Sequence, residues 1–276
     1  MPSNLDIKYI ESLLLRAGDL AQAEILKYWN SSFSVEWKVD STPVTIADKK
    51  AEEAVREFAL KETPEWGFIG EEFGENINNK QSEYQWVIDP IDGTKAFIHT
   101  VPLFGTLIAI VHKGVSIAGL IQLPALNSKI WAIKGGGAFR DGKRIFTSNT
   151  AKLADSLVLS GTINTMEDKG YGDWFSKLRK GAQLYRGWGD CYGYYLVACG
   201  RAEIMSDPVV SLWDIAPYPV IFSEAGGKFS TLAGETSLFF TEGSPLEGLP
   251  LHHIYEDYSS IASNGKFEVF LPSPPI

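Results

Sequence analysis

The sequence predicts an α/β protein built in two parts, and two observations support this. Residues 105–139 read as consecutive β-strands separated by short turns, which is typical of an antiparallel meander. After Thr147, strands and helices alternate, as they do in α/β units. We therefore expect an N-terminal α+β domain over residues 1–147, which contains the antiparallel sheet, and a C-terminal α/β domain over residues 148–276.

Composition limits the classes of partner. The 276-residue chain is 45% hydrophobic, which is enough for a full core. Its 34 acidic and 25 basic residues give a net charge of −9, which argues against a nucleic acid or an anionic membrane as the main partner. No apolar run approaches the roughly 20 residues of a membrane span, and residues 1–6 lack the basic and apolar regions of a signal peptide. The expected location is the cytoplasm.

The first two elements are predicted to be helices. Ser3 or Asn4 would cap the first one, whose apolar residues recur at helical spacing: Ile10, Leu13, Leu14, Ala17, Leu20 and Ala21. A second helix is expected from Thr45, because Thr45 and Asp48 match the capping-box pattern. Its buried stripe would consist of Ala51, Ala54, Val55 and Phe58.

Two short strands are expected to end in acidic residues. Residues 67–70 form the first, which delivers Glu71 and Glu72 to its end. Residues 86–88 form the second, a buried strand that ends abruptly at a turn.

That turn, Asp89-Pro90-Ile91-Asp92-Gly93-Thr94, is the most informative segment of the chain. Two carboxylates three residues apart, with a carbonyl between them, suit a hard divalent cation such as Mg²⁺. Gly93 lets the backbone approach an anion, and with Thr94 it would offer amide donors to a phosphate if a helix starts at Thr94. The alternative interpretation is an Asp-Gly turn between two core strands.

The remaining elements follow from turns and alternation. The meander turns fall at residues 113–114 and 124–128, and residues 141–142 close the series. Beyond it, the predicted strands are 156–159, 182–185 and 202–205, and the predicted helices are 173–180, 190–198 and 213–225.

Zinc and thiol chemistry are not expected. Cys191 and Cys199 are the two cysteines; they lie eight residues apart in a predicted helix and form no C-x-x-C motif. The four histidines match no zinc-binding pattern.

Three further acids matter because two carboxylates rarely fix more than one ion: Asp48, Glu71 and Asp214. Each has a simpler interpretation. Asp48 would serve only as a cap, Glu71 would belong to a solvated loop, and Asp214 would be a first-turn acid facing a helix dipole.

Taken together, the acids form an ordered pattern. It runs through Asp48, Glu71-Glu72, the turn at 89–94, and Trp213-Asp214 with eleven residues before Gly226. This pattern, over about residues 38–227, closely resembles the inositol-monophosphatase-like superfamily of magnesium-dependent, lithium-sensitive phosphatases. The resemblance implies a layered αβαβα sandwich of two pseudo-domains, with the acids converging between them. It also implies a homodimer and a small phosphorylated metabolite as substrate.

The resemblance also implies roles for individual residues. Glu71, Asp89 and the Ile91 carbonyl would bind one Mg²⁺, with Mn²⁺ as an alternative ion. Asp89, Asp92 and Asp214 would bind a second, and Glu71 with waters a looser third. Asp48, Thr94 and Glu71 form the implied catalytic set, in which Thr94 and Asp48 orient and deprotonate the attacking water, while the Gly93 and Thr94 amides hold the phosphate.

Segments 42–48, 95–98, 185–192 and 205–208 resemble the histidinol-phosphate phosphatase branch rather than the polyol-phosphate branch. The substrate-binding set in this reading comprises Gly93, Thr94, Arg186, Trp188, Asp190 and Asp207. Asp190 and Asp207 are fixed anions that suit an ammonium and an imidazole, and Trp188 would stack on a ring or cation. In the simpler interpretation Asp190 is a helix N-terminal acid and Trp188 belongs to the core.

The same residues also suggest other activities. The turn at 89–94 is similar to the D-x-D motif of aspartyl-phosphate enzymes of the haloacid-dehalogenase kind, but its acids are separated by two residues instead of one. An inositol-1-monophosphatase or a related sugar or nucleotide phosphatase is the alternative within the superfamily. A non-catalytic regulator that binds metal or phosphate is the alternative in a different class, and the full set of acids with Thr94 argues against it.

Overall fold

A computed structural model describes residues 6–31, 35–37, 43–75, 82–236 and 258–272. Two helices precede the main sheet: α1 (Ile7–Tyr28) and α2 (Ile46–Glu62). Between them, strands β1 (Val35–Trp37) and β2 (Pro43–Thr45) form an antiparallel pair.

Both predicted helices are present. The carboxylate of Asp6 caps α1 by accepting a hydrogen bond from the Lys8 amide at 3.0 Å, whereas Ser3 and Asn4 lie outside the described residues. Leu20 is 38% exposed, so its assignment to the buried stripe was wrong; the stripe continues through Ile25 instead. The capping box of Thr45 and Asp48 at the start of α2 is confirmed.

An eight-stranded sheet forms the first half of the fold. Its strands are β3 (Gly67–Gly70), β4 (Gly74–Glu75), β5 (Tyr84–Asp92), β6 (Gly105–His112), β7 (Val115–Leu123), β8 (Ser128–Ile133), β9 (Gly137–Arg140) and β10 (Lys143–Arg144). The strand order is β10-β9-β8-β7-β6-β5-β3-β4, and the β3–β5 pair is parallel while the others are antiparallel. The predicted meander is confirmed, although the turn at 141–142 leads into the short β10 and does not end the series.

The second acidic strand is longer than predicted. Strand β5 continues through the acidic segment and pairs Asp92 with Gly105, with a register shift between Asp89 and Asp92. Pro90 has no N–H to donate to the pairing between strands, and this makes β5 irregular at that residue. The strand nevertheless continues to Asp92. The Pro90 carbonyl accepts a hydrogen bond from the Thr106 hydroxyl at 2.8 Å. Helix α3 (Thr94–Ile98) starts where the sequence predicted.

A five-stranded sheet forms the second half. Its strands are β11 (Leu157–Ser160), β12 (Leu184–Arg186), β13 (Ile204–Val210), β14 (Lys228–Ser230) and β15 (Tyr258–Ser263), in the order β12-β11-β13-β15-β14. Strand β11 is parallel to both β12 and β13, and β15 is antiparallel to both β13 and β14.

Among its described residues this half has five α-helices: α4 (Ile163–Asp168), α5 (Gly172–Gly181), α6 (Asp190–Ala198), α7 (Leu212–Ile215) and α8 (Tyr218–Ala225). The single helix predicted over 213–225 was wrong, because it is divided into α7 and α8 at Pro217. Proline lacks the amide that a continuous helix would use and crowds the preceding turn.

The elements stack in five layers. Helices α1 and α2 cover one face of the eight-stranded sheet, α6 to α8 lie between the two sheets, and α4 and α5 cover the outer face of the second sheet. The predicted layered αβαβα sandwich is therefore confirmed. Division into domains at residues 147/148 stays a prediction. Within the described part of the chain, no helix has both the length and the apolar character of a membrane span.

Candidate active site

Three carboxylates converge where the two halves meet. Asp89 and Asp92 come from the end of β5 and Asp214 from α7, and one carboxylate oxygen of each lies within 4.8 Å of the others. Asp214 reaches the cluster from a helix N-terminus, where its Oδ2 accepts a hydrogen bond from the Ser211 amide at 2.7 Å. Asp214 can therefore be both an acid at the start of a helix and a candidate metal ligand, since the cap uses only one of its carboxylate oxygens.

The carboxylates raise one another's proton affinity. Burial, and then the charges of Glu71, Asp92 and Asp214, raise the pKa of Asp89 well above its usual value. Burial, with Asp190 and Asp214, raises the pKa of Asp92 in the same way. Burial, followed by the charge of Glu71, raises the pKa of Asp214 to about 7. Such a group of acids is costly to ionise without a cation among them.

A buried carboxylate oxygen of Asp89 indicates that the cluster binds a ligand. Asp89 is 2% exposed, and its Oδ1 has no hydrogen-bond partner within the part of the chain that the structure describes. An unpartnered buried carboxylate oxygen is destabilising unless a ligand satisfies it. Oxygen-only donors of this kind suit a hard divalent cation, so the residues present fit the ion that the sequence predicted.

Glu71 acts electrostatically on Asp89 and Asp214 of this cluster, and it also acts on Asp48. The fully buried Asp48 uses Oδ2 as a cap, accepting hydrogen bonds from the Thr45 amide at 2.8 Å and the Thr45 hydroxyl at 2.6 Å. Its Oδ1 has no partner among the described residues. Burial is the main cause that raises the pKa of Asp48 to about 6, and the charge of Glu71 adds to it. Capping therefore leaves one Asp48 oxygen for another role.

The predicted phosphate-binding turn has the expected backbone. Gly93 has φ +80°, a left-handed conformation that glycine adopts without strain, and α3 starts at the next residue. The Thr94 hydroxyl donates to the Ile91 carbonyl at 2.9 Å. No hydrogen bond joins Thr94 directly to Asp48, although both residues are described, so their predicted partnership would require a bridging water.

Helix α6 brings the second half of the fold against this turn. Its first residue, Asp190, has φ +51°, and its Oδ2 lies 3.2 Å from the position that a Cβ on Gly93 would take. The next amide, that of Cys191, donates a hydrogen bond to Asp92 Oδ2. Although Asp190 is an exposed residue, the surrounding atoms desolvate its carboxyl and raise its pKa, while Lys95 acts in the opposite direction.

Asp207 lies deeper in the same region. Its carboxylate accepts hydrogen bonds from the Gly161 amide at 3.2 Å and the Tyr194 hydroxyl at 3.5 Å. Burial, followed by the charge of Asp190, raises its pKa to about 7. The two acids predicted to recognise a cation therefore influence each other electrostatically.

The other two predicted substrate residues lie at the surface. Trp188 is 39% exposed, so the interpretation of Trp188 as core is wrong. Arg186 is exposed and donates to the carbonyl of Tyr185 at 2.7 Å. Their contact with substrate stays a prediction.

Sequence reasoning missed several contributors to the site. Ser211 and Asp214 form a capping box, whose S-x-x-D pattern was available in the sequence. The Cys191 amide and the Gly161 amide carry no sequence signal, because any residue could supply them.

Comparison with known proteins agrees with this arrangement. Residues 7–269 match the model of the inositol monophosphatase family. A histidinol-phosphatase of Chlorobaculum parvum is 40% identical over 239 residues, which cover 86% of this chain and 90% of that protein. An inositol-1-monophosphatase of Mesorhizobium japonicum is 32% identical over 195 residues, which cover 69% and 73%. The solved structure of an inositol monophosphatase from Zymomonas mobilis matches with a TM-score of 0.76, 27% identity and 95% coverage of both chains. The chain therefore belongs to the inositol monophosphatase family, and it is a phosphoric monoester hydrolase.

Proposed function

We propose that this protein is a magnesium-dependent phosphatase that hydrolyses L-histidinol phosphate, a step of histidine biosynthesis. The observation that carries the proposal is the cluster of Asp89, Asp92 and Asp214, with Asp190 and Asp207 beside it. The first three acids supply the metal site, and the other two distinguish a cationic substrate from a neutral one.

In this proposal Glu71, Asp89 and the Ile91 carbonyl hold one ion and Asp89, Asp92 and Asp214 a second, while Glu71 contributes to a third. Mg²⁺, or Mn²⁺ in its place, would supply Lewis-acid chemistry there: activation of a water and stabilisation of the leaving oxygen in an in-line displacement. The unpartnered Oδ1 of Asp89 supports its role as the shared ligand.

Thr94 and Asp48 position the attacking water. The Oδ1 of Asp48 is an acceptor with no partner among the residues that the structure describes, and the Thr94 hydroxyl is already oriented by the Ile91 carbonyl. Burial raises the pKa of Asp48 to about 6, nearer to neutrality than that of an ordinary aspartate, which suits a group that accepts a proton from that water. The Gly93 and Thr94 amides bind the phosphate oxygens.

Substrate choice rests on charge. Histidinol phosphate carries an ammonium group and an imidazole, and Asp190 and Asp207 provide two neighbouring carboxyls for them. Trp188 offers an exposed indole for stacking. Arg186 is the remaining residue of the proposed substrate-binding set. The 40% identity to a histidinol-phosphatase supports this choice.

Inositol 1-phosphate is the alternative substrate. The similarity to inositol monophosphatases favours it, as does the raised pKa of Asp207, because a protonated carboxyl can donate a hydrogen bond to a hydroxyl. A related sugar or nucleotide phosphatase activity would use the same metal ligands.

A phosphate-release screen with Mg²⁺ tests the proposal. The substrates are histidinol phosphate, inositol 1-phosphate, fructose 1,6-bisphosphate and 3′-phosphoadenosine 5′-phosphate. We expect the highest kcat/KM with histidinol phosphate. A preference for inositol 1-phosphate would assign the protein to the polyol-phosphate branch. No turnover with any of the four substrates would favour a non-catalytic regulator.

Four finer properties belong to the same proposal: a homodimer, a cytoplasmic location, inhibition by lithium, and the absence of nucleic acid or membrane among the partners. The net charge of −9 supports the last of these.

A further inference from the structure

A buried carboxylate on α2 holds the loop that carries Glu71. The Glu52 side chain, one turn after Asp48, is 0% exposed. Its Oε2 accepts a hydrogen bond from the Glu72 amide at 2.7 Å, and its Oε1 accepts one from the Phe73 amide at 3.2 Å. The backbone is therefore tied at the two residues that follow Glu71.

Arg56 stabilises this carboxylate and fixes the far end of the loop. Its Nη2 donates to Glu52 Oε1 at 2.9 Å and to the Gly74 carbonyl at 2.8 Å. The guanidinium lies 4.4 Å from the ring centroid of Phe68 and 5.8 Å from that of Phe73, so the surrounding rings restrict it. Burial raises the pKa of Glu52, and the amides and Arg56 act against that rise.

The backbone on the other side of Glu71 is fixed as well. The Glu71 amide donates to the Ile88 carbonyl of β5 at 3.2 Å. Gly70 leaves room for Glu52 to reach the loop, because a Cβ at that position would overlap the Glu52 carboxylate. Glu71 is thus held between β5, which carries Asp89, and α2, which carries Asp48.

We propose that Glu52 is a positioning residue for the metal site, which acts by fixing the Glu71 carboxylate relative to Asp89. The inference rests on the proposed function, in which Glu71 binds the ions. Fold stability alone gives little reason for an acid here, since a buried ion pair often contributes no more than apolar residues of the same volume. The two accepted amide bonds account for it, because a carboxylate offers a separate acceptor oxygen to each amide.

Mn²⁺ binding to the metal-free protein, followed by the electron paramagnetic resonance signal of free Mn²⁺, tests the inference without using catalysis. In Glu52→Gln the amide nitrogen would face one of the backbone donors, so the loop would lose one of its two bonds. We expect Mn²⁺ to bind about 10- to 100-fold more weakly, as is typical when a residue that orients a metal ligand is changed. Glu53→Gln is the matched control, because Glu53 is exposed and pairs with Lys50; its Mn²⁺ affinity should equal that of the unmodified protein.

A double-mutant cycle separates positioning from general support of the fold. If Glu52 acts through Glu71, adding Glu52→Gln to Glu71→Gln should weaken Mn²⁺ binding by no more than about twofold. Arg56→Lys is also measured with and without Glu71→Gln, and it replaces Glu52→Gln in the test if that variant does not fold. Lysine cannot bridge Glu52 and Gly74 as the guanidinium does.

Wild-type Mn²⁺ affinity in Glu52→Gln, or an equal loss with and without Glu71, would overturn the inference. If Glu52→Gln does not fold, the same two results in Arg56→Lys would overturn it. An unmodified protein that binds no Mn²⁺ would instead refute the proposed function, and this inference with it.

Discussion

Removing the charge of Asp190 should convert the protein from one that prefers a cationic substrate into one that does not. Asp190 lies at the start of α6 beside Gly93, and its field reaches both Asp92 and Asp207. In Asp190→Asn the side chain keeps its shape and its preference for a left-handed backbone, so φ +51° is retained and the loss of charge is isolated.

The magnitude follows from the kind of bond that is lost. A hydrogen bond to a charged group contributes about 1.5 to 3 kcal/mol, which corresponds to about a 10- to 150-fold loss of kcat/KM for histidinol phosphate. Lys95 opposes the field of Asp190, which favours the lower end of this range. Asp207→Asn should also lower kcat/KM for histidinol phosphate, because the variant removes the negative charge that Asp207, with a pKa of about 7, carries when ionised.

The assay compares kcat/KM for histidinol phosphate and for inositol 1-phosphate in each variant. Asp173→Asn is the control, since Asp173 is an exposed acid in α5 on the outer layer. Hydrolysis of inositol 1-phosphate should change little in all three variants. Equal losses on both substrates would mean that Asp190 and Asp207 are structural, and would refute the reasoning.

Two further predictions concern the mechanism and the acids without metal. Thr94→Ala should lower kcat more than it raises KM, and rapid-quench experiments should trap no phosphoryl group on Asp89 or Asp92; a trapped phosphoaspartate would favour the aspartyl-phosphate mechanism. The pKa of Asp214 rises from 3.8 to about 7 on folding, so the folded metal-free protein binds protons more tightly than the unfolded chain and its stability should fall as pH rises through this range. Thermal unfolding in EDTA should therefore show a smaller loss of stability from pH 5 to pH 8 in Asp214→Asn than in the unmodified protein, and equal losses would contradict this.

The sequence predicted the fold class and the separate acidic motifs because their signals are local, whereas the convergence of the acids was implied by the family resemblance. Thr45 and Asp48 form a capping box that is readable over four residues, and Asp89 follows a continuous apolar run. The family resemblance that these motifs suggested is confirmed by the match over residues 7–269.

The features that the sequence did not predict correctly depend on tertiary contacts. Pro90 was read as the end of a strand, yet pairing resumes at Asp92 because β6 continues alongside. The contact of the Cys191 amide with Asp92 joins residues 99 apart in sequence, and a backbone amide leaves no mark on composition or periodicity. Nothing in the sequence distinguishes Glu52 from the other acids of α2, and only the folded loop shows what its two oxygens accept.

The most direct test of the central claim is the Mg²⁺-dependent release of phosphate from histidinol phosphate by Asp89→Asn. Asp89 belongs to the acidic cluster and has a buried oxygen with no hydrogen-bond partner in the described part of the chain, so removing its charge should empty the site while the fold survives. We expect turnover to fall by about 10³-fold or more, with the far-ultraviolet circular dichroism spectrum unchanged. A folded Asp89→Asn protein that keeps a tenth or more of the turnover of the unmodified protein would contradict the assignment of this cluster as the metal site of a phosphatase.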